Sequence, residues 1–362
     1  MTYLASEEDL YAYISDCLDG YAEHSSFGGV VLKDEPSYTT FQSAAYVYKE
    51  IERYGKEKGK EIFIMQNLLP LASNVLNHYA EGATKETIED DYRKYLSAWQ
   101  TATGADYIQF DVYPFRMMAD GVTPIVDDYY LSGLKIAAEL CDERDLTFTV
   151  VVQTTAILKA TDGTTKMRYV SAEDLYLQTN LLWAFGADRV AYFTYFPKSA
   201  NELESFPADS SIVQADGTQN DLYDTVKQIH EEIKTLAKAI LNFEYKASAY
   251  YTGENASVGE YLSRLNSDTL QSVESVSVST QGAVLVAELY DVNRANYMVG
   301  VVNVADPAQR SGEISVSVTF DSLYTAAIVY VNGVATHVTL DNHSYTFTLA
   351  AGDAVYVVPY IL

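Results

Sequence analysis

The sequence predicts an α/β fold: a partial (β/α)8 TIM-type barrel with five visible βα units, followed by an all-β antiparallel sandwich. Three observations predict it. First, short apolar runs and amphipathic helical patterns alternate five times before about residue 243, with connections long enough for right-handed parallel crossovers. Second, beyond that point alternating apolar and polar segments take over, parted by turn signals such as Asn332-Gly333 and Gly352-Asp353. Third, the five strands end in polar or aromatic residues: Asp34 and Glu35, Asn67, Asp111, Gln153, and Tyr195. Side chains of that kind at the carboxyl ends of parallel strands are the habit of the barrel. A doubly wound sheet would want a glycine-rich turn after its first strand, and neither GxGxxG nor a Walker A sequence occurs. The expected domains are residues 1–243 and 244–362.

The elements follow in order. Ser6 with Glu7 and Glu8 makes an N-cap and an acidic first turn for a helix over about 6–24, with Leu10, Tyr13, Ile14, Cys17 and Leu18 at helical spacing. Gly28-Gly29-Val30-Val31-Leu32 then reads as a buried parallel strand, ending at Asp34-Glu35-Pro36 because proline has no N–H to pair. A helix over about 39–54 leads to the second strand, Ile62 to Gln66, and then to Asn67. A helix over about 85–103 carries Tyr92, Tyr95, Leu96 and Trp99. The third strand, Tyr107 to Asp111, runs into Val112-Tyr113-Pro114. A helix over about 127–144 precedes the fourth strand, Phe148 to Gln153. Ser171, Glu173 and Asp174 open a helix that Gly186 stops. The fifth strand is Val190 to Tyr195, and a polar loop from Pro197 to Asn220 leads to a helix over about 221–241. The sandwich is expected from segments near 275–278, 283–290, 297–303, 314–318, 327–330, 345–349 and 354–358.

Composition narrows the function classes. At 362 residues and 48% hydrophobic content the chain can bury two cores. A formal net charge of −26 repels phosphate backbones and anionic membrane surfaces, so neither nucleic acid nor membrane insertion is expected. No run approaches the about 18 apolar residues of a membrane span. The first residues lack the pattern of a signal peptide. The 31 tyrosines suit both sugar rings and sheet surfaces. Cys17 and Cys141 sit in helical patterns and read as packing thiols. Trp99 and Trp183 read as core. His24, His78, His230, His337 and His343 are scattered with no HExxH spacing, so neither a metal nor a cofactor is expected.

The succession of strands and helices resembles the catalytic barrel of bacterial glycoside hydrolases of the clan that includes β-galactosidases and cellulases, over about residues 20–240. The C-terminal part resembles the small β domain that follows such barrels. Asp34-Glu35-Pro36 is similar to the clan's Asn-Glu-Pro motif at the end of the fourth strand, with Asp34 in the Asn place. The resemblance implies that the visible strands are the fourth to the eighth, so that three upstream βα units are expected to be missing, a natural five-strand variant being the alternative. An extracellular or cell-surface location follows if an upstream signal peptide is missing as well, a cytoplasmic one otherwise.

The resemblance also implies hydrolysis of O-glycosidic bonds in an oligo- or polysaccharide. Glu35 would be the general acid, its pKa raised by partial burial and by Asp34. Gln153 stands where the clan's nucleophilic glutamate is expected, and an amide cannot attack. Asp111 is the alternative carboxylate. A separation of about 6.5–9.5 Å from Glu35 would mean inversion, and about 5–5.5 Å retention. Gln153 would otherwise hydrogen-bond the substrate, which assists its own hydrolysis. Asp34, Asn67, Tyr113 and Tyr195 complete the expected substrate contacts. Two rival readings stay open: a catalytically inactive glycan-binding protein, and an α/β protein whose strand-end residues are structural, Asp34 and Glu35 forming a solvated acidic turn.

Overall fold

The computed structural model describes residues 6–118, 120–158, 166–197, 206–256, 259–309 and 312–362. The chain divides into two units: residues up to Asp111 with Asp145–Thr147, and Val112–Arg144 with Phe148–Leu362. The expected break at 243 therefore falls inside the second unit.

The first unit opens with helix α1 (Glu7–Ala22), whose N-cap Ser6 accepts a hydrogen bond from the Asp9 backbone N–H at 3.1 Å. Its buried face is Ile14, Leu18 and Ala22, one residue every four. Cys17 lies off that stripe and is exposed, which corrects its reading as a packing thiol; Cys141 is buried as expected. Strand β1 (Gly29–Val31) precedes helix α2 (Phe41–Lys58), which ends at a left-handed Gly59. Strand β2 (Phe63–Met65) pairs with β1 in parallel, Val30 opposite Ile64. A short helix α3 (Leu76–Tyr79) and helix α4 (Ile88–Thr103) follow, then strand β3 (Tyr107–Val112), every residue of which is buried. Beyond β2, Leu68 bridges Phe110 of β3 in parallel. Burial of aromatic rings holds α2 and α4 together. Phe41 and Tyr95 lie 5.1 Å apart, Tyr48 and Trp99 5.9 Å, and Tyr79 packs on Tyr95 at 5.4 Å.

The second unit begins with a feature the sequence hides. Strands β4 (Phe115–Met117) and β5 (Pro124–Val126) pair antiparallel, and β4 also pairs with the two-residue strand β7 (Lys166–Met167). Strands of two or three residues carry too few side chains for an alternation to be read. Between them come helix α5 (Tyr130–Arg144) and strand β6 (Thr147–Gln153). Helix α6 (Ala172–Ala184) starts with a capping box between Ser171 and Asp174. Strand β8 (Arg189–Phe193) pairs with β6 in parallel, Val151 opposite Ala191. The loop before helix α7 (Asp221–Ile240) includes residues 198–205, which lie outside the described residues. Among the described residues the parallel strands form no closed barrel.

The sandwich has nine strands among the described residues: β9 (Glu244–Thr252), β10 (Val273–Val278), β11 (Ala283–Asp291), β12 (Asn296–Asn303), β13 (Ile314–Phe320), β14 (Ala326–Val331), β15 (Val334–Thr339), β16 (Ser344–Leu349) and β17 (Ala354–Tyr360). A short helix α8 (Glu260–Ser263) follows β9. A six-stranded sheet, β15-β14-β17-β12-β11-β9, faces a three-stranded one, β10-β13-β16, and the two enclose a core of Val284, Val286, Val299, Val301, Val316 and Phe320. The expected segments correspond to all of these strands but β9 and β15. Asn332 and Gly333 both take positive φ, the type I′ geometry that turns β14 into β15.

Elements on either side of residue 243 pack on one another. Helix α5 lies on β9, α6 on β11 and β12, and α7 on β15. Buried Asp174 of α6 shares Arg168 with Asp306, which follows β12; the Arg168–Asp306 bond is 2.7 Å.

Candidate active site

The irregular backbone after β1 and β2 creates the site. Pairing continues past the regular strands: Leu32 N donates to Met65 O at 2.8 Å, and Glu35 N to Asn67 O at 3.0 Å. Between these bonds the chain bends, and Glu35 adopts a left-handed conformation with φ 45°. A residue with a Cβ pays for that conformation, by about 1 kcal/mol or more. The bend is pinned from below. Buried Gln66 donates through Nε2 to the Lys33 carbonyl, and its own N–H donates to the Tyr107 hydroxyl at 2.7 Å. It is pinned from the side by Tyr95 of α4, whose hydroxyl donates to Pro36 O at 2.7 Å and accepts from Leu69 N at 3.2 Å. One phenol thereby ties the segment after Glu35 to the segment after Asn67. Burial drives the Tyr95 pKa far up, so the hydroxyl stays neutral.

Four expected residues meet here. Asn67 donates from Nδ2 to Asp34 Oδ1 at 2.9 Å and to Asp111 Oδ1 at 2.8 Å. Asp111 also acts on the neighbouring Glu35 carboxyl. Carboxylates set near one another favour the protonated form of one of them. Crowding by protein atoms pushes the Glu35 carboxyl up to about 8; the charges of Asp111 and Asp34 add to the rise. As a residue Glu35 is nonetheless exposed, so water screens the repulsion and softens the penalty for ionising it. Asp111 is 7% exposed. Asp111 is thus a buried carboxylate neighbour of Glu35, held by the Asn67 amide.

The remaining expected residues belong to the second unit. Gln153 is 0% exposed, and its amide is committed to backbone: Oε1 accepts from Phe115 N at 3.1 Å, while Nε2 donates to Thr155 O and Arg168 O, each at 3.1 Å. No edge is left for a sugar, which corrects the expectation of a substrate contact. The polar strand end signalled a structural clamp joining β6, β4 and the residues after β7. Tyr113 is half-buried and stacks on Phe193 at 5.4 Å. Tyr195 lies beyond the end of β8 and is 58% exposed. Among the described residues no group of three or more His, Cys, Asp or Glu is arranged to hold a metal ion, and no helix is long and apolar enough to cross a membrane.

Gln66, Tyr95 and Tyr107 support the site without a sequence signal that marks them as supports. Only Tyr95 left a trace, as part of a Tyr92, Tyr95, Trp99 stripe that reads as core packing.

No family model matches the chain, and no curated protein does. Among solved structures it is similar to a candidate α-L-fucosidase from Bacteroides thetaiotaomicron, at 12% identity and TM-score 0.37, over 52% of this chain and 53% of that one. The chain thus spans about half the length of that protein. It is also similar to a GH30 endoxylanase from Clostridium papyrosolvens, at 12% identity and TM-score 0.38, over 90% and 72% of the two chains. An Anoxybacillus α-amylase matches at 10% identity and TM-score 0.39, over 95% and 72%. Likeness this distant leaves the chemistry to the chain's own geometry.

Proposed function

We propose that the chain is a glycoside hydrolase-like protein that hydrolyses O-glycosidic bonds of an oligo- or polysaccharide, with Glu35 as general acid and Asp111 as its partner. The observation that supports this reading is the Glu35 carboxyl set beside Asp34 and Asp111, its pKa pushed up to about 8 by burial and by their charges. A carboxyl still protonated near neutral pH can donate to a leaving oxygen. The glycosidic C–O bond breaks as the Glu35 proton passes to the departing oxygen. The water that captures the sugar returns a proton to the pair. Asp34 and Asn67, which border Glu35, are the proposed contacts for sugar hydroxyls. The sugar as substrate class rests on the resemblance of Asp34-Glu35-Pro36.

A second reading is glycan binding without turnover. It is favoured by Gln153, a buried amide where the resemblance places a nucleophilic carboxylate. Screening the 362-residue chain against aryl glycosides and glycan mixtures separates the two. The enzymatic reading expects turnover that falls by about 100- to 10,000-fold in Glu35→Gln. Turnover unchanged by that substitution removes Glu35 as the acid. Glycan binding with no turnover, retained in Glu35→Gln, selects the second reading.

A further inference from the structure

We infer that a cleft at the starts of α6 and α7 binds a small, neutral, polyhydroxylated ligand, with the Ser211 hydroxyl as one of its contacts. The inference goes beyond the proposed function and uses none of the residues around Glu35. The cleft holds about 380 Å³, within the range of about 300–1,000 Å³ of small-molecule sites. Its wall includes Tyr169, Ser171, Asp209, Ser211, Asn220 and Asp221, all of the second unit. Ser211 is 1% exposed, and its Oγ has no hydrogen-bond partner. A buried hydroxyl left unpaired is costly. Its backbone is left-handed as well, with φ 75°, a conformation that a side chain disfavours. The preceding serine shows the contrast: Ser210 Oγ lies 2.8 Å from Thr155 Oγ1 and donates to Pro207 O at 2.7 Å. Asn220 holds the strained segment, since its Nδ2 donates to Asp209 O at 2.9 Å and to Ser211 O at 3.0 Å. The loop is thus fixed in a shape that leaves one buried hydroxyl of the cleft wall unpaired, and a ligand hydroxyl would pair it.

The rest of the wall selects the ligand. The first N–H groups of α6 and α7 have no partner inside their own helices and would by themselves favour an anion. The caps take up part of that capacity: Ser171 Oγ accepts from Asp174 N at 3.1 Å, and Asn220 Oδ1 from Asp221 N at 2.7 Å. Asp209 and Asp221 oppose an anion outright, and no Lys or Arg is among the described residues that line the cleft. The acidic side chains form no metal-holding group among the described residues. Carboxylate acceptors, backbone donors and a hydroxyl that can do either fit an uncharged ligand that both donates and accepts, as the hydroxyls of a polyol do. Tyr169 adds an aromatic wall. It is 45% exposed, and its hydroxyl donates to Asp209 Oδ1 at 2.8 Å, which fixes the ring. Such a ring suits the C–H face of a cyclic polyol.

The test is amide NMR of the deuterated full chain. D-glucose, D-xylose and myo-inositol are the neutral probes, inorganic phosphate and putrescine the charged ones, each at up to about 50 mM. A neutral probe is expected to shift the amides of Ala172, Ser211 and Asn220, and to saturate. No such shift with any neutral probe, or shifts with the charged probes alone, overturns the inference. Ser211→Ala is expected to weaken the neutral probe by about 5-fold, the loss of one uncharged hydrogen bond. Its melting temperature is expected to match or exceed that of the wild type, because the variant removes a hydroxyl with no protein partner. Unchanged affinity in Ser211→Ala overturns the inference, and so does a lower melting temperature, which would give the hydroxyl a role in the fold. Tyr169→Ala, at an exposed residue, is expected to weaken the probe by about 3- to 10-fold. Unchanged affinity there also overturns the site. Glu35→Gln keeps this inference apart from the proposed activity. The shifts at Ser211 are expected to persist in it whether or not the wild type turns over a glycoside, and their loss would place the binding at Glu35 instead.

Discussion

Glu35 is costly to the fold in two ways that a stability-optimised residue would avoid. Its φ of 45° suits glycine, and its carboxyl is set beside Asp111 and Asp34. The pH dependence follows from the raised pKa. Glu35 titrates at about 8 when folded, against 4.5 as an isolated side chain. Between those values the folded state holds a proton that the unfolded state has released, so stability falls as pH rises. The contribution is full below pH 4.5 and lost as pH passes through about 8. Glu35→Gln keeps the shape of the protonated form at every pH. Its melting temperature should match the wild type near pH 4 and exceed it near pH 9, the values bracketing the two pKa figures. A difference of the same size at both pH values would show that Glu35 carries no raised pKa. At this scale the sequence was informative about which residues matter and silent about how they touch. Asp34-Glu35-Pro36, Asn67 and Asp111 stood out because polar residues closed apolar runs. The amide bridge of Asn67 did not, because it depends on the offset at which three parallel strands stop pairing. Gln153 misled for the same reason: a polar strand end marks a clamp as readily as a site.

At the scale of elements, helix α6 meets the sandwich through two glycines. A Cβ on Gly300 of β12 would lie 2.9 Å from the Tyr356 ring and 3.5 Å from Ala184. Gly352, in the turn between β16 and β17, has φ 84°, and a Cβ there would lie 2.5 Å from the Glu173 carbonyl oxygen. That oxygen belongs to the α6 backbone and cannot move without the helix. The same turn is bonded to the helix, since Asn180 Nδ2 donates to Gly352 O at 2.9 Å and Tyr356 donates to Asn180 O at 2.7 Å. Gly352→Ala should therefore cost roughly 2–5 kcal/mol, backbone strain and overpacking together. Gly217→Ala is the control. Its φ is 88°, but nothing lies within 4 Å of the added carbon. It should cost only the strain, about 1–2 kcal/mol. Urea denaturation of both variants reads the difference; equal costs would mean that α6 yields to the methyl group. Gly352-Asp353 was legible as a turn. Its contact with a helix about 180 residues earlier was not, since a turn signal is local and says nothing of what lies above it.

At the scale of the whole chain, the sandwich depends on helices that precede it. Strands β11 and β12 alternate like any strands, yet almost every residue on both faces is buried. Val284, Val286, Val299 and Val301 point into the sandwich core. Leu285, Leu289, Met298 and Val302 occupy the other face by alternation and are 0% exposed. The helices cover that second face, with α6 on β11 and β12, α5 on β9 and α7 on β15. A trace of this lay in the sequence. Ala283-Val284-Leu285-Val286-Ala287 is a continuous apolar run, the mark of a strand buried on both sides, where a half-exposed sandwich strand would alternate. The change of pattern at 243 nonetheless reads as a boundary, because periodicity reports secondary structure and not which elements share a core. Residues 244–362 expressed alone would expose Leu285, Leu289, Met298, Val302 and Tyr356 as one apolar patch. Patches of that kind drive association. The isolated segment is expected to aggregate or to melt without cooperativity. In the 362-residue chain, hydrogen exchange should protect α6 and β11 to the same degree, as parts of one cooperative unit. A sharp, monomeric melt of 244–362 would restore the boundary at 243. It would also make the covering helices a later addition to a sandwich that stands without them.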